Sequence, residues 1–221
     1  MVNVLLEGYD FKSRWIYREL KNYLHPDMRV LVLPLSFRDS EIYDSASWHV
    51  YYGAGGKHRN GISESFKAYG IKQDNINFIN YFSDTQKTVS ELIRTADILF
   101  FTGGLPKRMT ERIDELGIRL EIEAFDGIVM GNSAGALVQL GEYHVTPDRD
   151  YPEFRYMRGL SYINDFYLEV HYTASEEQKR SIARVISERK KTVYATSPMA
   201  GALICENGNV HLIGDVKTFS V

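Results

Sequence analysis

The sequence is poor in the features that mark several classes of protein. Its 221 residues include one cysteine, Cys205, so an internal disulfide is excluded and a reducing compartment is allowed. No apolar run approaches the roughly 18 residues that a membrane-spanning helix needs. The opening segment MVNVLLEG is too short and too quickly polar for a signal peptide. We therefore expect a cytoplasmic protein without membrane association.

Charge of one sign is not in excess either. Lys and Arg number 26 and Asp and Glu number 29, which gives a net charge of −3. The chain therefore lacks the excess of basic residues that is typical of nucleic-acid-binding proteins. The chain has no H-E-x-x-H and no C-x-x-C pattern, so we predict no metal and no other cofactor. Hydrophobic residues make up 44%, typical of a globular protein. We expect a single domain over residues 1–221, as a monomer or homodimer, with no nucleic-acid partner.

Short apolar segments alternate along the chain with helical patterns. Apolar strands followed by helices predict an α/β fold with a mostly parallel sheet between two helical layers, a three-layer αβα sandwich. A hairpin is expected around the Asn207-Gly208 turn, and a polar loop over residues 147–159. Strands are expected at 2–6, 29–34, 76–79, 97–101, 128–130, 166–170, 192–195, 202–205 and 210–213, and helices at 13–24, 61–69, 83–96, 109–116, 119–125 and 176–188.

An aromatic, glycine-bearing segment over residues 36–60 interrupts this alternation. We expect a helix with irregular flanks there. Its rings are predicted to cover the core or to shape a pocket, with a subunit contact as the alternative. They are Tyr43, Trp48, Tyr51 and Tyr52.

A serine stands in the glycine-rich turn G-N-S-A-G, residues 131–135, between an apolar strand and a small-residue helix. The pattern G-x-S-x-G is typical of a nucleophile elbow. Its glycines let the chain reverse direction more tightly than a residue with a Cβ could. This turn places the Ser133 hydroxyl at the carboxyl end of the sheet. The Ala134 amide then faces the position of an oxyanion, aided by the helix amino end. The alternative is a small-residue turn that packs a helix onto a strand.

A serine nucleophile needs a base and the base an orienting acid. We prefer His171 as the base because it ends a strand of the same sheet; a strand-end histidine bound to backbone is the alternative. Asp148, Asp150 and Asp165 lie between Ser133 and His171 in the chain, and all three remain candidates for the acid. The other histidines are His25, His49, His58, His144 and His211.

A second oxyanion donor requires flexible backbone near the serine. Gly103 and Gly104 follow the strand at 97–101 and supply it, with the amide of Gly104 or Leu105 as the candidate. Strand ends of a parallel sheet meet at one edge, so these glycines, Ser133 and His171 are expected to form one site.

Together these motifs resemble the peptidase E family, the S51-type serine peptidases that also include cyanophycinases. The motifs are T-G-G at 102–104, G-N-S-A-G-A at 131–136, T-P-D at 146–148 and V-H-Y-T at 170–173. The resemblance covers nearly the whole chain. It implies a class I glutamine amidotransferase-like (flavodoxin-like) fold and hydrolysis of dipeptides or other small peptides. It also implies Ser133 as nucleophile, His171 as base and Asp148 as the third member.

The chain departs from the family pattern in three places. Members often have G-G-G-N after the strand, whereas residues 103–106 read G-G-L-P, which affects substrate binding most. The acid that aspartyl-specific members carry in a P-E-G segment is absent from residues 198–201, P-M-A-G, which leaves Asp148 in that role by the resemblance. The arginine of aspartyl-specific members aligns with Glu176, with Lys179, Arg180 and Arg184 further along, so a preference for an amino-terminal aspartate is an expectation from the resemblance alone.

Three other functions fit parts of the pattern. A glutamine amidotransferase needs a cysteine at position 133, and Cys205 lies in an apolar strand where a buried, inert thiol is expected. An α/β-hydrolase esterase shares the order Ser…Asp…His but usually has much more chain after the elbow. A non-catalytic family member that binds a small ligand or a protein partner would explain the altered loop at 103–106.

Overall fold

The computed structural model describes residues 1–220; residue 221, the predicted end of the domain, lies outside the described residues. The strands are β1 (Val2–Leu6), β2 (Val30–Leu33), β3 (Ile76–Phe78), β4 (Ile98–Phe101), β5 (Ile128–Asn132), β6 (Glu142–Val145), β7 (Arg155–Arg158), β8 (Phe166–Glu169), β9 (Thr192–Glu206) and β10 (Asn209–Phe219). The helices are α1 (Arg14–Leu20), α2 (Ser45–Tyr52), α3 (Lys57–Lys67), α4 (Gln86–Thr95), α5 (Pro106–Glu115), α6 (Arg119–Glu123), α7 (Ala134–Leu137) and α8 (Glu176–Arg189).

Eight strands form a mixed sheet whose central part is parallel. The order is β10–β9–β1–β5–β4–β2–β3, with β8 also paired to β9. All pairings from β1 to β3 are parallel, as is β8 with β9, while β9 runs antiparallel to β1 and β10. The predicted α/β fold with a mostly parallel sheet is confirmed.

The central strands are apolar on both faces because each face carries a helical layer. In β1, Val4 packs into a core cluster with α1 and α3, whereas Leu5 packs into a separate cluster with α4, α5 and α6. In β5, Met130 packs into the same cluster as Val4, and Val129 packs into the same cluster as Leu5. Period-two alternation of strand side chains therefore builds the helix–sheet–helix layers.

The aromatic segment forms two helices rather than one. Asp44 caps α2 by accepting a hydrogen bond from the Ser47 amide (2.7 Å), with a reciprocal bond from the Asp44 amide to the Ser47 hydroxyl. Residues 53–56, which include three glycines, separate α2 from α3. Trp48 and Tyr52 are buried, as expected for rings that cover the core, whereas Tyr43 is exposed.

Two further predictions need correction. The expected loop at 147–159 contains β7, which pairs with β6 as a separate two-stranded sheet. The two strands expected at 192–195 and 202–205 belong to one long strand, β9. The hairpin at Asn207-Gly208 is confirmed, with positive φ at both residues (51° and 78°).

Within residues 1–220, no helix combines the length and apolar character needed to cross a membrane.

Candidate active site

The carboxyl ends of β1, β4, β5 and β8 converge at one edge of the sheet. β1 and β5 are in register, with Leu6 opposite Asn132, and the Ser133 amide donates to the Leu6 carbonyl at 2.8 Å. Glu7 follows Leu6 directly, so it lies beside Ser133. The strand register alone therefore brings a carboxylate and a serine together.

Ser133 occupies a sharp turn between β5 and α7. Its φ of 51° and ψ of −108° place it in a region that L-residues seldom adopt. The flanking glycines allow this turn: a Cβ on Gly131 would lie 2.0 Å from the Gly135 carbonyl oxygen, and one on Gly135 would lie 2.2 Å from the Phe101 carbonyl oxygen. The strained backbone holds the hydroxyl out from the strand end.

His171 contacts the Ser133 hydroxyl. The distance from Ser133 Oγ to His171 Nε2 is 2.7 Å. His171 lies two residues after the end of β8 and has a φ of 53°. Its carbonyl accepts a hydrogen bond from Gln178 Nε2 of α8 (3.0 Å). The structure thus brings together the predicted serine and histidine through local turns at two strand ends.

Glu7 supplies the carboxylate on the other side of the imidazole. Its Oε2 lies 2.7 Å from His171 Nδ1, and its Oε1 accepts a hydrogen bond from the His171 amide at 2.9 Å. The Thr196 hydroxyl also donates to Oε1. The Glu7 side chain is 1% exposed, whereas that of His171 is half exposed. The hydrogen bond with Glu7 raises the pKa of His171 above its ordinary value, against the opposing effect of burial.

Asp148 is not the carboxylate that contacts His171, and this corrects the assignment taken from the resemblance. Asp148 is exposed, and its Oδ1 accepts hydrogen bonds from the amides of Asp150 (2.8 Å) and Tyr151 (2.7 Å). Those bonds close an Asx-type turn at the cleft rim. Asp150 pairs with Arg38 instead. Asp165 lies at the opposite end of the sheet, just before β8 begins.

Glu7 was not among the site residues predicted from the sequence, although the sequence carries a signal for it. Glu7 is the first polar side chain after the first apolar strand, the same position that drew attention to Gly103, Ser133 and His171 after theirs. The missing information was the strand order, since only adjacency of β1 and β5 brings Glu7 to the serine.

The segment that follows β4, residues 102–105 (the glycine loop), is held on several sides. The Gly103 amide donates to the Tyr9 hydroxyl at 2.9 Å, and the Leu105 amide donates to the Ser36 carbonyl at 2.7 Å. The Ser36 hydroxyl donates to the Gly103 carbonyl at 2.6 Å. Leu105 is therefore unsuitable as an oxyanion donor, which corrects one of the two predicted alternatives.

Gly104 is the remaining donor of the glycine loop. Its φ is 142°, and a Cβ there would lie 2.4 Å from the Ser36 carbonyl oxygen, so glycine is required. Within residues 1–220, neither the Gly104 amide nor the Ala134 amide has an acceptor. Helix α7, which starts at Ala134, spans four residues, so the expected helix-dipole contribution is smaller than a long helix would give.

Two clefts adjoin Ser133 and His171. The larger, about 510 Å³, runs past Ala134 toward Thr146 and Asp148. The smaller, about 380 Å³, runs past Gly103 and is lined by aromatic side chains. Gly104, Ser133 and His171 line both clefts, so a molecule bound across the serine would extend into each.

Comparison with known proteins identifies the family. The sequence profile of peptidase family S51 matches residues 55–213, which include Ser133 and His171. The chain belongs to peptidase family S51. It is a serine peptidase, as the resemblance implied. No curated protein sequence matches the chain.

Solved structures share the fold of this S51 peptidase. A chain from Listeria monocytogenes EGD-e assigned as a peptidase E superposes with a TM-score of 0.67 at 13% identity, covering 97% of this chain and 98% of that one. A peptidase from an acI-B1 Actinobacterium superposes with a TM-score of 0.63 at 13% identity, covering 99% of this chain and 93% of that one. At such identities the likeness concerns the fold.

The lone thiol of this S51 peptidase lies away from the site. Cys205 pairs with Asn3 at the amino end of β1, whereas Glu7 follows its carboxyl end. Burial raises the pKa of the Cys205 thiol to about 12, so the thiol stays protonated at neutral pH. A cysteine-dependent amidotransferase reaction at this site is therefore ruled out by geometry.

Proposed function

We propose that this S51 peptidase hydrolyses dipeptides or other small peptides through Ser133, His171 and Glu7. The observation that most supports this proposal is a pair of linked contacts, each 2.7 Å long: Ser133 Oγ contacts His171 Nε2, and His171 Nδ1 contacts Glu7 Oε2. Serine, imidazole and carboxylate in this order are the elements of a catalytic triad. Asp148, which the family resemblance implied as the acid, has no part in this proposal.

In the proposed first step, Ser133 Oγ attacks the carbonyl carbon of the scissile amide. His171 Nε2 accepts the hydroxyl proton as the new C–O bond forms. Glu7 accepts the hydrogen bond from Nδ1–H, fixes the tautomer and stabilises the imidazolium. Its second oxygen is occupied by the His171 amide, so the carboxylate cannot rotate away from the ring.

The oxyanion of the tetrahedral intermediate would be bound by the amides of Ala134 and Gly104. Both are free of other acceptors within the described residues and border the clefts at Ser133. Each well-placed donor contributes about 3 kcal/mol to transition-state stabilisation. His171 then protonates the leaving amine, and a water activated by the same imidazole hydrolyses the acyl-enzyme.

The turn at 131–135 serves in this proposal as a nucleophile elbow. Small peptides suit the two clefts, whose volumes of about 510 Å³ and 380 Å³ lie in the range of small-ligand sites. We also propose a cytoplasmic location, on the single cysteine.

Fluorophosphonate labelling followed by intact-mass analysis tests the nucleophile. We expect one adduct on the wild-type protein and none on Ser133→Ala, with His171→Ala strongly slowed because the base is missing. Hydrolysis of a dipeptide panel should disappear in Ser133→Ala, while its thermal unfolding stays close to wild type. A folded wild-type protein that forms no adduct and cleaves no peptide would contradict the proposal and favour the non-catalytic, ligand-binding alternative.

A further inference from the structure

The smaller cleft beside Ser133, hereafter the aromatic cleft, has five rings among its lining residues. Phe37 and Tyr52 are buried, whereas the other three rings are half-buried. Its volume is about 380 Å³. The rings belong to Tyr9, Phe37, Tyr51, Tyr52 and His58.

Four of these rings, those of Tyr9, Tyr51, Tyr52 and His58, pack against one another into a wall. Tyr51 and His58 are stacked, with centroids 5.6 Å apart and planes inclined by 16°. Tyr52 and Tyr9 approach the same imidazole at 5.4 Å and 6.1 Å. The Tyr9 hydroxyl is occupied by the Gly103 amide. The wall is therefore preorganised by α2 and α3 and attached to the glycine loop.

The cleft offers no free cation to an acidic side chain. Arg38 lines both clefts, but its guanidinium pairs with Asp150 and lies 3.9 Å from Glu41. Burial and the nearby Lys57 charge lower the pKa of His58, so this ring is neutral at neutral pH. Glu7 and Glu41 are the acidic residues that line the aromatic cleft; Glu7 contacts His171, and Glu41 shares Arg38 with Asp150, so a substrate carboxylate would find no unpaired cation there.

We propose that the aromatic cleft is the specificity site of the enzyme and binds a large aromatic side chain next to the scissile bond. The inference rests on the proposed function, because a peptide must lie across Ser133 to reach the cleft. Burying an aromatic side chain against preorganised rings is favourable through apolar contact and edge or offset stacking. An aspartate would lose hydration there without gaining a cationic partner. An aromatic preference would replace the aspartyl preference that the family resemblance implied.

A dipeptide panel with a shared alanine tests the preference. Phenylalanine, leucine, aspartate, arginine and lysine are each placed before and after alanine, with Ala-Ala as the reference. We expect a phenylalanine peptide to exceed Ala-Ala and the aspartyl peptides by about 10-fold or more in kcat/KM. Faster cleavage of aspartyl peptides would overturn the proposal. Preference for arginine or lysine would also overturn it, since Glu41 rather than the rings would then select the substrate.

Variants then test the rings themselves. Tyr51→Ala removes one face of the stack and is expected to cut the phenylalanine-to-Ala-Ala ratio of kcat/KM by about 5- to 10-fold. Tyr43→Ala is the matched control, because Tyr43 is 69% exposed and does not line the cleft. An equal loss on all peptides in Tyr51→Ala would reduce Tyr51 to a structural role and contradict the proposal.

Binding to the Ser133→Ala protein separates this inference from the proposed function. Calorimetry with the same peptides measures the cleft without hydrolysis. Tighter binding of phenylalanine peptides than of aspartyl peptides, with no turnover by the wild-type protein, would support the cleft and contradict the peptidase proposal. If the peptides are cleaved or bound without a preference for phenylalanine, only the cleft proposal is contradicted. If Ser133→Ala binds none of the peptides and the wild-type protein cleaves none of them, although wild-type Ser133 still reacts with a fluorophosphonate, both the peptidase proposal and the cleft proposal are contradicted.

Discussion

At the residue scale, the two oxygens of Glu7 perform separate tasks. Oε2 faces His171 Nδ1, while Oε1 is fixed by the His171 amide and by Thr196. A buried carboxylate that several donors contact is fixed in its orientation. The imidazole is therefore held in the tautomer that leaves Nε2 available to Ser133.

The pH dependence of the reaction follows from this contact. Neutral His171 is the base, so kcat/KM should rise with pH as His171 loses its proton. Because Glu7 raises the pKa of His171, the acid limb in the wild-type protein should lie above the ordinary value of about 6.5. In Glu7→Gln the imidazolium loses its anionic partner, and the limb should move to lower pH. A pH profile of kcat/KM checks both; a limb that stays in place would contradict the coupling.

Ser36 is predicted to act as a positioning residue for the glycine loop. It is fully buried, and its hydroxyl bonds Thr102 Oγ1 at 2.8 Å and the Gly103 carbonyl at 2.6 Å. In Ser36→Ala the Gly104 amide loses this support, so kcat should fall about 10- to 100-fold with KM little changed. Ser90→Ala is the control, since the Ser90 hydroxyl bonds Glu121 elsewhere. Steady-state kinetics that show a raised KM at constant kcat would assign Ser36 to substrate binding instead.

At the element scale, the turn between β5 and α7 depends on its glycines. In Gly131→Ala the new Cβ would lie 2.0 Å from the Gly135 carbonyl oxygen, backbone that has no room to move. We expect a loss of several kcal/mol in the free energy of unfolding, measured by urea denaturation. Gly61→Ala is the matched control: outside the backbone of its own helix and its chain neighbours, nothing lies within 4 Å of the new Cβ, and the site is inside α3. That variant should be neutral or slightly more stable. Equal effects of the two variants would contradict this reading of the turn.

Elements with strong local signals were predicted well, and those defined by tertiary context were not. The apolar run of β1 and the Asn207-Gly208 turn were both anticipated at their residues. Strand β7 lacks a buried face, so its sequence carries no period-two pattern, and only its pairing with β6 makes it a strand. Strand β9 was predicted as two pieces because Pro198 and Gly201 interrupt its pattern, and it continues through them as one strand.

At the scale of the whole molecule, the alternation of apolar strands and helices was enough to predict the layered sheet. It could not give the strand order, which is a long-range property. Ser133 and His171 were predictable because each ends its own strand next to a recognisable motif. Glu7 lies 126 residues before Ser133 in sequence and precedes all the motifs that carry the resemblance. The single-domain extent over residues 1–221 remains a prediction.

The proposed mechanism depends most on Glu7, not Asp148, as the acid that orients His171. The most direct measurement is kcat/KM for one cleaved dipeptide in Glu7→Gln and Asp148→Asn, each compared with wild type at its own optimum pH. Loss of the orienting carboxylate should cost about 10³- to 10⁴-fold in Glu7→Gln. Asp148→Asn, which keeps an acceptor for the turn at 148–151, should retain activity within about 5-fold. Near-wild-type activity in Glu7→Gln together with a large loss in Asp148→Asn would contradict the account.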